Sequence, residues 1–343
     1  MTNGQRLSID ESLLPTSNSK SDSQKYSPRI DQVVSLNFSL AKVVAIFTVV
    51  AGHWFAGTIL WIPVTFGLFI FSFSSAYFTA KLYGANFDQQ DFWRKKLSRL
   101  GLRFWVIMSF LTVFLFFQGK TVIDWHTIIH YIGLSGVLNW FSIQNDSALG
   151  AGLWFFTLLL IFYIIYPYIA KLCESKFFAL LFAIAAIIAT LYLESEIKVG
   201  HELWLTALGF VLGVGYGLHQ PKFKPWIAFS LAALSCICLL GLNIFSTYKQ
   251  FNNFLIAFAS ISISLWLSRV QIPQWCIAKR FAKLEKYLLE IFLIHTYLFF
   301  RVSGNFVLDF FVSFLLIALS AIAINHISEW LSSLIFDRPK ILA

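Results

Sequence analysis

The segment SLAKVVAIFTVVAGHW, Ser39 to Trp54, has the composition of a membrane-spanning helix except for two ionisable side chains, Lys42 and His53. At about 100° and 1.5 Å per residue, His53 lies within about 20° of Lys42 on the helix surface and about 16 Å further along the axis. A charged group at the centre of a membrane helix costs about 2.5–3.5 kcal/mol on insertion scales, so such groups usually face protein or water. The sequence therefore predicts a polar channel along one face of this helix.

Each of the two residues also has a purely structural interpretation. A lysine near a helix end can extend its ammonium group to the interface, and a histidine there can hydrogen-bond to a carbonyl or a lipid headgroup. Lys42 could also form a buried ion pair with Glu290 or Glu329. The shared helix face favours a functional role, but the residues alone leave these interpretations open.

The rest of the chain extends the membrane assignment. Of its 343 residues 58% are hydrophobic and only 13% are charged, too few polar groups to cover a soluble globule of this size. About twenty apolar residues are needed for a helix to cross a bilayer, and no alternating strand pattern is present. We therefore predict an all-α integral membrane bundle of about ten transmembrane helices, at residues 34–58, 62–82, 100–118, 152–170, 177–194, 202–219, 226–245, 251–268, 286–302 and 306–335.

The net charge of +9 reflects membrane topology rather than nucleic-acid binding. With a cytoplasmic N-terminus, 21 of the 26 Lys and Arg residues fall on the inner side and four on the outer side, with Lys42 inside a span. Both termini are therefore predicted to be cytoplasmic. Residues 1–32 are polar and lack the apolar block of a signal peptide, so we expect a disordered cytoplasmic tail followed by a single transmembrane domain, residues 33–343.

Cysteine spacing and loop length give two further expectations. The four cysteines show no ligand-like spacing to histidines, so neither a disulfide framework nor a metal site is expected. Residues 119–151 form the longest stretch predicted to be non-helical, on the outer side. We expect this segment to be a lid or a half-inserted element that faces an extracellular substrate.

Several motifs occur in an order that resembles the acyltransferase-3 family, integral membrane acyltransferases that modify glycans. Lys42 and His53, with ten residues between them, resemble the basic-x10-His signature of the family's first helix. The remaining motifs are FSFSSAYF (71–78), FWRKKLSRLGLRFW (92–105), LWFFTLLLIFYIIYP (153–167), KYLLEIFLIH (286–295) and DRP (337–339). The chain departs from the common pattern at Ala76, where glycine is usual, and at Leu159, where the commonest branch carries glutamate.

The resemblance implies transfer of an acyl group, often acetyl, from cytoplasmic acyl-coenzyme A to a hydroxyl of a cell-surface or exported glycan. Acyl-CoA would be a substrate, and no bound cofactor is expected. The other expected partners are a carbohydrate or glycolipid acceptor and membrane lipid. We expect a multi-pass protein of the cell membrane, located in a bacterial plasma membrane.

Acyl transfer to an alcohol needs a base near neutral pH, and imidazole is the side chain best suited to it. His53 is the candidate, either as a base or as a carrier that forms an acyl-imidazole. Lys42 would hold a donor phosphate or carbonyl, or stabilise an oxyanion.

A basic cluster is the candidate for binding the phosphates of acyl-CoA, with the alternative that it only fixes topology and contacts anionic lipid. Its members are Arg94, Lys95, Lys96, Arg99 and Arg103, with the most weight on Lys96 and Arg99. Further candidate site residues are Glu290, His295, Trp154 and Tyr163. A proton-coupled secondary transporter or flippase, with Lys42, His53, Glu290 and His295 as its relay, is the alternative function, although no inverted repeat supports it.

Overall fold

The opening segment lies in one continuous helix, α1 (Gln32–Trp54), which carries both Lys42 and His53. In this computed structural model the residues described are 32–197, 203–245, 251–273 and 275–336. The predicted tail before residue 32 and the Asp337–Pro339 motif lie outside them.

The described part of the chain is all helical and contains no strand. After α1 the helices are α2 (Trp61–Tyr83), α3 (Gln89–Phe117), α4 (Trp125–Tyr131), α5 (Ser135–Trp140), α6 (Trp154–Leu172), α7 (Lys176–Glu196), α8 (Leu203–His219), α9 (Pro225–Phe245), α10 (Asn252–Leu267), α11 (Cys276–Ala282), α12 (Leu288–Ile294) and α13 (Phe306–Phe336). Single 3₁₀ turns, Lys283–Tyr287 and His295–Tyr297, flank α12.

The predicted count of ten spanning helices is not confirmed. Seven of the described helices, α1, α2, α3, α6, α7, α9 and α13, are long and apolar enough to cross a membrane, and α8 and α10 are shorter apolar helices. These nine helices correspond to nine of the ten predicted runs. The tenth run, 286–302, does not form one long helix.

Run 286–302 ends its α-helical part at Ile294, and the reason is visible at His295. The imidazole Nδ1 of His295 donates to the carbonyl oxygen of Phe292 at 2.7 Å. In a continuing α-helix that carbonyl would accept the amide of Thr296, so the side chain competes with the backbone at this point. His295 therefore lies at the end of a short helix, not ten residues into a long one.

Segment 119–151 also differs from the expectation of a non-helical loop, because it contains α4 and α5. Asp124 caps the first of these helices by accepting the Trp125 amide at 2.6 Å. The segment packs against α6, where the hydroxyl of Thr157 donates to the Gly133 carbonyl and accepts the Gly136 amide. At its end the Gly150 amide donates to the Tyr297 hydroxyl at 2.9 Å.

The most extensive helix pairing joins α2 to α8 through a row of glycines. Gly209, Gly213 and Gly217 are four residues apart, the spacing that lets membrane helices approach closely. A Cβ added at Gly213 would lie 2.4 Å from the carbonyl oxygen of Phe73 on α2. Gly209 and Gly217 face the carbonyls of Phe69 and Tyr77 in the same way. The backbone of α2 is therefore held directly against α8.

This close approach predicts that Gly213→Leu lowers the free energy of unfolding by about 1–3 kcal/mol, because the added side chain overpacks the α2–α8 contact. The measurement is the thermal midpoint of the purified protein in detergent. Gly241→Leu on α9 is the matched control, since a Cβ there meets nothing within 4 Å. Equal midpoints for the two variants would contradict the proposed role of the glycine row.

Candidate active site

A cavity of about 440 Å³ opens between α1, α2, α3, α6 and the segment 283–294, within the size range of ligand sites. It brings together side chains that are far apart in the sequence. Among its lining residues are the predicted site residues Lys42, Lys96, Arg99, Arg103 and Tyr163. Arg94, Trp154, Glu290, His295 and His53 do not line it.

Lys96 is held by aromatic rings in the wall of this cavity. Its ammonium lies 4.1 Å from the ring centroid of Tyr163 and 5.6 Å from that of Phe92, distances typical of cation–π contacts. It also donates to Thr79 Oγ1 at 3.2 Å. In the described part of the chain no carboxylate forms an ion pair with Lys96. Its charge is therefore available to an anion in the cavity.

Arg103, in contrast, is already paired. Its Nε and one terminal nitrogen donate to the two carboxylate oxygens of Glu290 at 2.8 and 2.5 Å, and the same terminal nitrogen reaches the Lys286 carbonyl. Glu290 is fully buried. This bidentate pair ties α3 to α12 and accounts for both residues structurally.

The other two arginines of the predicted basic cluster occupy different positions. Arg99 is exposed, lines the cavity and has no ion-pair partner among the residues with described positions. Arg94 is exposed, pairs with Asp91 at 3.0 Å and lies outside the lining. The structure thus separates Lys96 and Arg99, which face the cavity unpaired, from Arg94 and Arg103, which are paired.

Lys42 lines the cavity and forms an ion pair with Glu285 of the 3₁₀ turn before α12. The predicted alternatives named the wrong carboxylates, because Glu290 is taken by Arg103 and Glu329 is exposed on α13. Ser39, one turn earlier on α1, also donates to Glu285. Sequence reasoning overlooked Glu285. Glu285 and His295 are ten positions apart in the sequence, nearly the same as the eleven positions between Lys42 and His53.

His53 and His295 face one another, with ring centroids 5.0 Å apart and an angle of 54° between the planes. His53 is exposed, whereas His295 is only 1% exposed. Residues 285–295 therefore run beside α1 in the same direction and meet both of its ionisable groups. The prediction that Lys42 and His53 share one face of the helix agrees with these contacts.

Among the described residues no continuous polar channel joins the two groups, which corrects the sequence interpretation. Ile46 and Val49, which lie between them on α1, are buried in the apolar core. The cavity instead extends toward the histidines along α12. Phe292 lines it, and the Phe292 carbonyl is the group that holds His295.

Trp154 is buried at the start of α6, where its ring packs edge-to-face against Phe155 at 5.7 Å. Phe155 in turn packs against Phe292 at 4.7 Å. Trp154 therefore supports the aromatic wall from behind. Tyr163 lines the cavity itself, and its hydroxyl is 3.2 Å from Ser75 Oγ.

Three groups of segment 119–151 could hold a metal ion, although the sequence predicts no metal site. Ligand atoms of Asp124, His126 and Asp146 lie within 4.8 Å of one another. His126 Nδ1 already bonds to the Asp124 carboxylate, and this hydrogen bond holds the pKa of Asp124 below its usual value. The cluster is therefore accounted for by this pair and lies apart from the cavity lining.

The Arg103–Glu290 pair generates a stability prediction. Arg103→Gln leaves the buried carboxylate of Glu290 without its cation and should lower the free energy of unfolding by about 3–5 kcal/mol. The thermal midpoint in detergent measures this loss. Arg94→Gln removes an exposed ion pair and should change the free energy of unfolding by less than about 1 kcal/mol. An Arg103→Gln variant as stable as Arg94→Gln would show that Glu290 is not buried as described.

Comparison with known proteins gives one match. The sequence model of a family described as an acyltransferase domain, acyltransferase-3, matches residues 35–328, which is most of the chain. No curated protein and no solved structure matches significantly. The match includes every candidate residue of the cavity and both histidines, and it decides between the two classes of function that the sequence left open. The chain therefore belongs to the acyltransferase-3 family, and it is a membrane-embedded acyltransferase rather than a transporter.

Proposed function

We propose that the protein moves an acetyl group from cytoplasmic acetyl-CoA to a hydroxyl of a cell-surface or exported glycan. The observation that carries this proposal is the cavity, which is lined by two cations without ion-pair partners among the described residues and by Phe292, whose carbonyl bonds to His295. The proposal includes a position in a bacterial plasma membrane, where the donor and the exported glycan meet on opposite faces.

The donor is argued from charge. Lys96 and Arg99 lie in the first half of α3, which the distribution of basic residues assigns to the cytoplasmic side. Coenzyme A is a polyanion, and arginine can bind a phosphate through two hydrogen bonds whereas lysine acts as a point charge. With Arg103 and Arg94 occupied by carboxylates, Lys96 and Arg99 are the pair we assign to the donor phosphates.

Lys42 differs from these two cations because Glu285 already compensates its charge. We assign it to a carbonyl group of the donor away from the reacting thioester, because Lys42 lies about 16 Å along α1 from His53, with buried Ile46 and Val49 between them. An ammonium held by one carboxylate still has hydrogens to donate to a carbonyl oxygen.

The size of the acyl group is argued from the aromatic wall. Phe155 and Phe292 line the cavity where it approaches His295, and their rings are 4.7 Å apart. Phe71 lies against Phe155 at 6.2 Å. Three large rings form this part of the lining, which supports a small acyl group such as acetyl over a longer chain.

The reaction needs one proton acceptor, and His53 supplies it. The hydroxyl proton of the glycan passes to a ring nitrogen of His53, the hydroxyl oxygen bonds to the thioester carbon, and the carbon–sulfur bond breaks. The leaving thiolate of coenzyme A then takes up a proton from the imidazolium. The same nitrogen could instead carry the acetyl group as an acyl-imidazole between the two steps.

Replacement of His53 tests the chemistry. His53→Gln should lower kcat by about 10²–10⁴-fold, because it removes the proposed proton acceptor. The assay uses membrane vesicles from cells that express the gene, with radiolabelled acetyl-CoA as donor and the cells' own glycan as acceptor. His326→Gln is the control, since His326 is exposed on α13 and bonds to the carbonyl of Ile322 in its own helix. Full transfer by His53→Gln would remove His53 from the mechanism.

The donor site is tested by charge removal. Lys96→Gln with Arg99→Gln should raise the apparent KM for acetyl-CoA about tenfold or more, with a smaller change in kcat, because both cations contact the donor away from the reacting carbon. Lys171→Gln at the end of α6 is the control, an exposed cation outside the cavity lining. If the KM of the double variant equals that of the control, the cluster serves topology alone.

The product identifies the acceptor. Mass spectrometry of surface glycan from cells with and without the gene should show an added mass of one acetyl group per modified sugar. Uptake of a small substrate into sealed vesicles, with no covalent product on any glycan, is the result that would contradict the proposal.

A further inference from the structure

We propose that His295 is a positioning residue for His53, a neutral hydrogen-bond acceptor that fixes the protonation pattern of the His53 ring. This inference rests on the proposed role of His53 as the base. It assigns a function to a buried imidazole that the chemistry above does not use.

The backbone determines which nitrogen of His295 carries hydrogen. A carbonyl oxygen can only accept, so the 2.7 Å contact with the Phe292 carbonyl places the hydrogen of a neutral ring on Nδ1. The Nε2 atom then carries a lone pair. A single tautomer is thus selected by a main-chain group that cannot rotate away.

The Nε2 atom of His295 has no partner among the described residues, although it is buried. A buried polar atom without a hydrogen bond costs about 1–3 kcal/mol, and such atoms are rare in folded proteins. Trp54 Nε1 and Thr296 Oγ1, on the residues that follow His53 and His295 in the sequence, are also buried without partners among the described residues. Each buried polar atom without a partner calls for an explanation, and a partner that is made only during function is one.

His53 is the one ionisable side chain within reach of His295 in the described structure. The facing groups on the other elements are aromatic, namely Phe292 at 6.0 Å and Phe299 at 5.9 Å between ring centroids. Two imidazoles joined by an N–H···N hydrogen bond have centroids about 5 Å apart, because about 2.9 Å between the nitrogens adds to the two ring radii. The measured 5.0 Å fits this arrangement after a rotation of the His53 ring.

When His295 Nε2 accepts the N–H of His53, the other nitrogen of His53 must carry its lone pair toward the acceptor hydroxyl. After His53 takes the hydroxyl proton, the positive charge of its ring is stabilised by the same hydrogen bond. His295 never holds a second proton, because Nε2 only accepts and Nδ1 stays bonded to Phe292. The proton taken up by His53 leaves with the thiolate of coenzyme A, so the cycle balances.

Two substitutions test the inference in the vesicle assay with radiolabelled acetyl-CoA. His295→Leu has a similar volume but no acceptor, and it should lower kcat about 100-fold while the KM for acetyl-CoA stays within about twofold. His295→Gln can donate its amide N–H to the Phe292 carbonyl and offer its oxygen to His53. It should therefore retain at least about tenfold more activity than His295→Leu.

Stability separates this role from a structural one. His295→Leu removes an unsatisfied buried nitrogen but also the hydrogen bond to the Phe292 carbonyl, and because these two effects oppose one another, its thermal midpoint in detergent should stay close to that of the unmodified protein. A merely structural histidine predicts a lower midpoint for Leu, with activity lost in proportion. His326→Leu is the matched control and should change neither kcat nor the midpoint.

The outcomes are distinguishable from a failure of the proposed function. If the unmodified protein transfers acetyl and His295→Leu matches its kcat, or if His295→Gln is no better than His295→Leu, the inference is overturned while the function stands. If the unmodified protein transfers nothing from acetyl-CoA, the proposed donor is wrong instead.

Discussion

Two ionisable groups in one membrane helix have to be compensated by neighbouring protein, and the rest of the site follows from that requirement. The segment 283–297 provides the compensation at both places, with Glu285 against Lys42 and His295 against His53. Because the spacing of the two partners nearly equals the spacing of the two groups on α1, the segment must run beside α1 in register. This pairing fixes where the cavity lies, since α12 forms one of its walls beside α1.

The second consequence concerns the basic cluster of α3. In the sequence the cations of this cluster look equivalent, whereas in the fold some of them form ion pairs with carboxylates and others do not. Glu290 takes Arg103 and Asp91 takes Arg94, so only Lys96 and Arg99 of that cluster face the cavity without an ion-pair partner among the described residues. The ammonium of Lys96 in addition lies over the ring of Tyr163, a cation–π contact that orients this side chain in the absence of a carboxylate partner among the described residues.

Helical class, the shared face of Lys42 and His53, and the family could be predicted from the sequence because they depend on local spacing and composition. The break in run 286–302 could not, since apolar composition does not reveal that the His295 side chain competes for a backbone carbonyl. The partner of Lys42 was predicted wrongly for a similar reason. Three glutamates, Glu285, Glu290 and Glu329, were available within the apolar C-terminal region, and only the packing of α3 against α12 assigns Glu290 to Arg103. The four-residue spacing of the glycines on α8 is visible in the sequence. The groups of α2 that they contact are backbone carbonyl oxygens, which no side-chain pattern reveals.

The contact between α2 and α8 has a mechanical consequence for the cavity. The three glycines of α8 pack directly against three carbonyl groups of α2. This contact restrains the position of α2, which carries Ser75 and Thr79 in the cavity wall. The segment 283–294 on the opposite side is instead held by ion pairs, Lys42–Glu285 to α1 and Arg103–Glu290 to α3. The cavity therefore has one wall fixed by contact between helix backbones and one wall fixed by charge, and only the second would loosen if a carboxylate were protonated.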